Sequence, residues 1–549
     1  MTKRNRIISL LVALVMISVG AMTLAPETAL AQSEPLWAMN FGGTNQDRAR
    51  CVEQTSDGGY IVAGYTESFG AGDEDFWILK LTSNGLVTWQ KVYGGSSEDF
   101  AESVQQTTDG GYIVGGYTES FGAGSRDFWV LKLSSNGNIQ WQKTYGGIDS
   151  EYPYSVQQTT DGGYIVGGYT ESFGAGGRDF WVLKLASNGN VQWQKTYGGS
   201  SEDIASSIQQ TSDGGYIVVG WTESSGAGYV DCLVLKLASN GTIEWQKTYG
   251  DIDWDECHSI QQTSDGGYIM AGSTESFGTG DWDFWVLKLT SNGNAEWQKT
   301  YGGSTNEGAE SVQQTSDGGY VVIGWTDSFG AGGDDIWLLK LASNGNAQWH
   351  KTYGDTNWDD PYSVRQTPDG GYIMAGSTQS FTIGTGFDAD FWVLRVDDEG
   401  SILDCSLGME SNIRITNTQS TIADTTLTVN NTVASVSIPS YSLTDSDCST
   451  YTQCYYSPTA PIIDEPSAEN GFASIAPFLQ TAYGFKAGEG TGGWTIYNPL
   501  WPAQLNTLTT LYVGRGYWVY VSDACILQFG SSVIVLDAGW NLIGWIPQL

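Results

Sequence analysis

The tetrapeptide Asp-Gly-Gly-Tyr begins at Asp57, Asp109, Asp161, Asp213, Asp265, Asp317 and Asp369, seven copies at a constant spacing of 52 residues. A chain that repeats at this period without drift builds one supersecondary unit again and again. The copies must then stack, because a single unit cannot bury its own apolar surface. The second copy shows the unit. Strand patterns over Ser103–Thr107 and Tyr112–Thr118 flank the turn Thr108-Asp109-Gly110-Gly111, where glycine supplies positive φ. Patterns over Asp127–Leu133 and Asn138–Tyr145 flank Ser135-Asn136-Gly137, a hairpin turn of the Asn-Gly type. Four short strands joined by Gly-rich turns predict an antiparallel sheet. Its third strand is apolar on both faces, with Phe128 and Val130 on one side and Trp129, Leu131 and Leu133 on the other. Such a strand needs cover on both sides, which neighbouring sheets around an axis provide. The prediction is an all-β chain whose residues 36–404 form a seven-bladed β-propeller of four-stranded antiparallel blades.

The ring must close. Leu36–Gly43 aligns with the fourth-strand segment Thr88–Gly95 but precedes the first full copy, while the last copy has Asp404 where the fourth-strand Trp belongs. The N-terminal strand is therefore expected to complete the last blade by pairing with Asp390–Val396, removing the open edges that invite aggregation.

The repeat resembles the exported bacterial and archaeal β-propeller repeats of the SBBP type. The matching residues are Tyr145-Gly146-Gly147, Asp161-Gly162-Gly163-Tyr164, Gly168-Tyr169-Thr170 and Asp179-Phe180-Trp181-Val182-Leu183-Lys184-Leu185. The resemblance covers about two thirds of the chain. It implies an exported propeller and carries over no catalytic residue. Residues 405–469 form a Thr/Ser/Pro-rich linker with room for one or two strands around Thr425–Val436. Residues 470–549 turn aromatic again. Gly516-Tyr517-Trp518-Val519 and Gly539-Trp540-Asn541-Leu542-Ile543-Gly544-Trp545 are similar to a small β module found at the ends of exported prokaryotic proteins. That likeness implies a small C-terminal β domain with an accessory role outside the cytoplasm.

Residues 1–31 agree with export. Lys3, Arg4 and Arg6 precede an apolar run from Ile7 to about Ala25, and Ala29-Leu30-Ala31 is a small-residue cleavage site, so a signal peptide is removed before Gln32. A retained anchor is the alternative. No second long apolar run follows, so the mature chain is expected to carry no transmembrane span and to be secreted or held at the cell surface. With 61 acidic against 24 basic residues the net charge is −37, a field that repels phosphate backbones and argues against nucleic acid as a partner. Export permits disulfides. Cys405, Cys448 and Cys454 are the candidates, whereas Cys51, Cys232 and Cys257 read as isolated substitutions within the repeats.

Antiparallel order places the fourth-to-first and second-to-third connections on one rim and the Asp-Gly-Gly and Ser-Asn-Gly turns on the other. The second rim is nearly the same in every copy and the first varies, so binding is expected on the first. Trp254, Asp255, Trp282, Asp283, Asp334, Asp335, Trp358 and Asp359 are its candidate binding residues. Two carboxylate columns recur there in all copies, one containing Asp47, Asp99, Asp255 and Asp359, the other Asp75, Asp127, Asp283 and Asp335. Such carboxylates can fix loops by accepting backbone N–H bonds. Alternatively they can hold Ca²⁺, which wants six to eight oxygens, with Asp73, Asp75, Asp281, Asp283 and Asp335 the best placed. No nucleophile elbow, P-loop or HExxH occurs. The sequence predicts a non-enzymatic binding or adhesion scaffold for a protein or glycan at the surface. The alternative is a secreted polysaccharide lyase or glycoside hydrolase with its site at the channel mouth. An enzyme should show one cleft with a convergent polar cluster, and a binder a broad rim.

Overall fold

The computed structural model describes residues 35–382 and 388–402 throughout and, beyond them, the backbone of short strands. Strand β1 (Leu36–Gly42) is followed by β2 (Asp47–Gln54), β3 (Tyr60–Thr66), β4 (Asp75–Leu81) and β5 (Val87–Tyr93), the last four hydrogen-bonded in that order as blade 1. Six further blades repeat the order, making a seven-bladed β-propeller with no helix among the described residues. In blade 7 the fourth place, beside Asp390–Val396, is taken by β1, in register from Trp37 opposite Arg395 to Phe41 opposite Phe391. The ring is closed by the beginning of the chain, as the alignment of Leu36–Gly43 predicts.

The core lies between blades. Every residue of β4 is buried, and so is every residue of the equivalent strand in the other blades. One face packs forward and the other backward around the ring. Trp77 meets Phe391 of blade 7 at 4.5 Å between ring centroids, and Phe76 meets Trp129 of blade 2 at 4.6 Å. Full burial of one such side chain stabilises by roughly 1.5–3 kcal/mol, and neither face is covered without a neighbouring blade.

The Phe of this strand faces a small residue on the innermost strand of the next blade. Phe76 with Ala101, Phe180 with Ala205, Phe284 with Ala309 and Phe391 with Ala49 share four of the interfaces. At the interface of blades 4 and 5 the pair is Cys232 and Cys257, which form a disulfide with Cα atoms 5.3 Å apart. This corrects the reading of these two cysteines as isolated substitutions: a large–small apolar contact has been exchanged for a covalent one. Cys405, Cys448 and the side chain of Cys454 lie outside the described residues, as do residues 1–31.

The nearly constant rim is held by two columns of the repeat. The Lys80, Lys132, Lys184, Lys236, Lys288 and Lys340 ammonium groups lie 2.9–3.0 Å from the Asp of their own Asp-Gly-Gly turn, and Arg395 takes the same place against Asp369. The indole N–H of Trp89 donates to Ser135 O of the next blade's hairpin turn at 3.1 Å, and Trp141 does so to Ser187 O at 3.1 Å. Trp37 in β1 repeats the bond, to Ser83 O at 3.0 Å. These tryptophans are interblade struts.

After Ile402 the span read as a linker contributes short strands along the outer edges of the ring. Gly408–Met409 joins blade 6, Arg414–Asn417 blade 5, Thr421–Asp424 blade 4, Thr428–Asn431 blade 3 and Ser435–Ser437 blade 2. Ser449–Tyr456 then pairs with β1. Among the described residues blade 1 alone keeps four strands. A second compact unit holds a four-stranded sheet of Leu479–Lys486, Gly493–Tyr497, Tyr517–Val521 and Gly539–Ile543, and a hairpin of Cys525–Phe529 with Ser532–Leu536.

Candidate functional site at the variable rim and channel mouth

On the variable rim each blade's second-to-third connection lies against the next blade's entry into its innermost strand. The N–H of Asp99 donates to Glu74 O at 2.8 Å, that of Glu151 to Arg126 O at 2.9 Å, that of Asp255 to Val230 O at 2.9 Å and that of Glu307 to Trp282 O at 2.9 Å. Asp47 to Ala389 O at 2.5 Å completes the circle.

The two carboxylate columns hold this junction together. Asp99 accepts from Gly95 N at 2.7 Å. Asp255 accepts from Asp251 N at 2.8 Å and Ser276 Oγ at 2.7 Å, and Asp359 from Ser380 Oγ at 2.7 Å. In the other column Asp75 accepts from Ala71 N at 2.7 Å, Asp283 from Thr279 N at 2.8 Å and Gly280 N at 3.1 Å, and Asp335 from Ala331 N at 2.7 Å. All of these side chains are buried. These bonds tie one oxygen of each carboxylate to its loop, while Oδ1 of Asp75, Asp99 and Asp335 has no hydrogen-bond partner among the described residues. Asp73 and Asp281 stand in solvent, and among the described residues no group of three acidic, His or Cys side chains is placed to hold a metal ion. Burial raises the column carboxyls, Asp99 and Asp359 to about 6 and Asp335 to about 7, the last also because Asp359, Asp355 and Asp334 lie close. Asp334, half-buried, is raised to about 6 by burial and by Asp360 and Asp327.

The rim's accessible chemistry is apolar as well as acidic. Ile148, Tyr229, Ile252, Trp254 and Trp358 are exposed large apolar side chains on its loops, and of the exposed large apolar residues described only Leu86 lies on the opposite rim. Trp282 is half-buried. Of the candidate binding residues, then, Trp254 and Trp358 are presented to solvent, Trp282 and Asp334 are half-buried, and Asp255, Asp283, Asp335 and Asp359 are buried.

Sequence reading passed over the channel wall. The innermost strand of each blade alternates buried and half-exposed residues, because one side packs between blades and the other faces the central channel. At one channel-facing position the blades carry Arg50, Glu102, Tyr154, Ser206, His258, Glu310 and Tyr362, all different in adjacent blades. The neighbouring position is Ser in six blades, from Ser103 to Ser363, and Cys51 in blade 1. Toward the variable rim these side chains, with Tyr152, Ile204 and Trp221, enclose a cavity of about 440 Å³. Toward the constant rim a second space of about 300 Å³ is lined by the Ser position and by Gln105, Gln157, Gln209, Gln261 and Gln313. These glutamines have structural work: Gln105 accepts from Gln158 N at 2.6 Å, and Gln157 from Gln210 N at 2.7 Å, each one blade on.

Aromatic and ionic side chains both line the upper cavity, and an aromatic arc leads from its Tyr152 to rings outside the lining. Blades 1 to 3 bring an aromatic arc in which Tyr65 meets Phe100 at 4.0 Å, Phe100 stacks on Tyr117 at 4.8 Å, and Tyr117 meets Tyr152 at 4.6 Å. Tyr152 continues to Tyr154 at 4.7 Å. Arg126 caps Tyr117 at 4.7 Å and Arg178 caps Tyr169 at 4.8 Å. Ionic groups stand among them: His258 is 3.5 Å from Glu256 and 3.8 Å from Glu310, and Arg48 is 3.8 Å from Asp360. Arg50 is 3.8 Å from Glu102 and lies over the Tyr362 ring at 4.1 Å. The Tyr152 hydroxyl donates to Glu102 at 2.5 Å. Burial works against a charge on His258, but the Glu310 and Glu256 carboxylates outweigh it and push the imidazole up to about 9.

No family model matches the chain, and no curated protein matches it. Among 24 matching chains of solved structures, one from the crystal structure of S. cerevisiae core factor at 3.2 Å resolution aligns with 10% identity and a TM-score of 0.35. The alignment covers 64% of this chain and 57% of that one, less than two thirds of its length. A superposition that loose bears on neither fold nor function. Among the described residues no helix is long and apolar enough to cross a membrane.

Proposed function

We propose that the protein is an exported binding scaffold, secreted or at the cell surface, that engages a glycan- or protein-bearing surface through its variable rim and channel mouth. One observation carries the reading. Blades that are nearly superimposable copies elsewhere diverge at the rim loops and at the channel position of Arg50, Glu102, Tyr154, Ser206, His258, Glu310 and Tyr362. Differences of that kind have no use in stacking blades, and loops on a rigid ring are where recognition resides. Exposed Trp254 and Trp358 on the same rim supply the apolar area that recognition needs. The Cys232–Cys257 disulfide suits an oxidising compartment and so supports export, together with the basic and apolar leader.

The polysaccharide-cleaving alternative would draw on the convergent polar cluster in the channel. The test is a glycan array and a panel of immobilised cell-envelope fractions, probed with the mature chain and with a Trp254→Ala/Trp358→Ala variant. Binding by the parent that falls at least tenfold in the variant is expected. Equal binding by both, or turnover of a bound polysaccharide, would overturn the proposal.

A further inference from the structure

We infer that the channel mouth is a pocket for the end of a neutral glycan, with sugar rings stacking on Tyr154, Trp221 and Tyr362 and hydroxyls bonding Arg50, Glu102 and Glu310. The inference deepens the binding-scaffold reading and rests on it. Its first support is size: about 440 Å³ falls within the span of cavities that hold small ligands. The second is the lining, divided between aromatic side chains, Tyr152 and Tyr154 on blade 3, Trp221 on blade 4 and Tyr362 on blade 7, and ionic ones, Arg50 and Glu102 on blades 1 and 2 and His258 and Glu310 on blades 5 and 6. A pyranose has the same division, with C–H faces that lie on aromatic rings and an equator of hydroxyls that both donate and accept.

The third support is charge. Arg50, His258 and Arg365 line the pocket with Glu102 and Glu310, and Glu53 faces Arg365 lower in the channel, three cations against three carboxylates. An anion entering would face the carboxylates, and a cation would face Arg50, His258 and Arg365, so a neutral guest is favoured. The fourth is the looseness of these pairs. Arg50–Glu102 and His258–Glu310 are both 3.8 Å apart, whereas the Lys–Asp pairs of the opposite rim close to 2.9–3.0 Å. At 3.8 Å the partners are charged neighbours without a hydrogen bond between them, and the buried Nε of Arg50 has no hydrogen-bond partner among the described residues. Hydroxyls inserted between the partners would meet that unused capacity. Below, the serines from Ser103 to Ser363 ring the channel between the pocket and the space beneath it.

Ser206 offers a clean test. It occupies the strand position that holds Tyr in blades 3 and 7, so Ser206→Tyr asks the strand for nothing it does not already accommodate, yet puts a ring into the lumen. Isothermal titration of the mature chain with glucose, galactose, mannose, N-acetylglucosamine and their disaccharides, alongside glucuronate and glucosamine, reads the outcome. At least one neutral sugar should bind. Ser206→Tyr and Tyr154→Ala should each weaken it tenfold or more while the melting temperature of Ser206→Tyr holds, and the charged analogues should bind more weakly. The inference is overturned if no neutral sugar binds, if the charged analogues bind best, or if Tyr154→Ala and a folded Ser206→Tyr keep full affinity. Trp254→Ala/Trp358→Ala lies outside the pocket and separates the two readings. Envelope binding that this variant loses, with no free sugar bound, sinks the pocket and leaves the scaffold. Sugar binding without envelope capture does the reverse.

Discussion

The interface between blades 4 and 5 allows the sharpest quantitative test of how the ring is held. Cys232 and Cys257 are bonded across it, 25 residues apart in sequence. Closing a loop of that length in the unfolded chain corresponds to about 3–4 kcal/mol of stabilisation in the chain-entropy account. A Cys232→Ser/Cys257→Ser variant loses that and leaves two hydroxyls in an apolar seam with Ile217, Val219 and Met270. It should therefore lose at least 3 kcal/mol or so. Cys232→Phe/Cys257→Ala instead installs the Phe–Ala contact that four other interfaces carry. Buried apolar contact replaces the covalent link, and the loss should shrink to about half or less. The assay is equilibrium urea unfolding of the three proteins, the parent with and without reductant, beside a non-reducing peptide map. A parent whose midpoint ignores reductant, or a map showing both thiols free, would refute the reasoning. So would equal losses in the two variants, since the seam would then not be the repeat's interchangeable contact.

Stability should be greatest near pH 4. Asp47, Asp99, Asp179 and Asp359 are raised to about 6 in the fold. Raised carboxyls stabilise the native state in acid, a contribution of up to about 3 kcal/mol each that fades as pH climbs from about 4 through about 6. Asp109, Asp161, Asp213, Asp265 and Asp317 are lowered to about 2, where the Thr and Gly N–H bonds and the Lys outweigh the effect of burial. Their contribution is present above about 4 and lost as pH falls through about 2. Urea midpoints taken from pH 3 to pH 8 that rise steadily toward pH 8 would contradict this balance. His258→Gln leaves Glu256 and Glu310 facing each other without a cation, and should cost on the order of 1–2 kcal/mol. A further Glu310→Gln should recover part of it, and a double-mutant cycle with no coupling would refute the pairing. On the constant rim, Asp161→Asn takes the anion from the buried Lys184 ammonium and loosens one turn, so thermal unfolding should register a loss of about 1–3 kcal/mol.

The ring was legible because the period, the strand with two apolar faces and the orphan copy of the fourth strand at Leu36–Gly43 each have one economical structural outcome. The rim was legible as a region, through the divergence of loops, and Trp254 and Trp358 are exposed there. The roles of the carboxylates were not. A column such as Asp75 to Asp335 reads the same whether its oxygens meet backbone N–H groups or a cation, and the fold adds that one oxygen of each accepts from Ala71 N or Ala331 N. The channel residues were hidden for another reason. Arg50, Glu102 and His258 stand inside regular strands, where variation is easily taken for noise, and their exposure depends on a hole that exists only once seven blades are assembled. The signal was present all the same, as a variable residue beside a constant Ser in every innermost strand. The disulfide had a signal too. Residues 25 apart are the spacing of Phe76 from Ala101 and of Phe180 from Ala205, so two cysteines at that offset occupy facing columns.

Hydrogen–deuterium exchange tests the central claim, a ring sealed by the start of the chain that leaves one face free to vary. Because Leu36–Gly42 is hydrogen-bonded to Asp390–Val396, its amides should exchange as slowly as those of Val191–Gly198, the corresponding strand of blade 3. Removing residues 36–42 should make Asp390–Val396 exchange much faster. If Leu36–Gly42 exchanges like free peptide, and Asp390–Val396 is unchanged by its removal, the ring is not closed in this way.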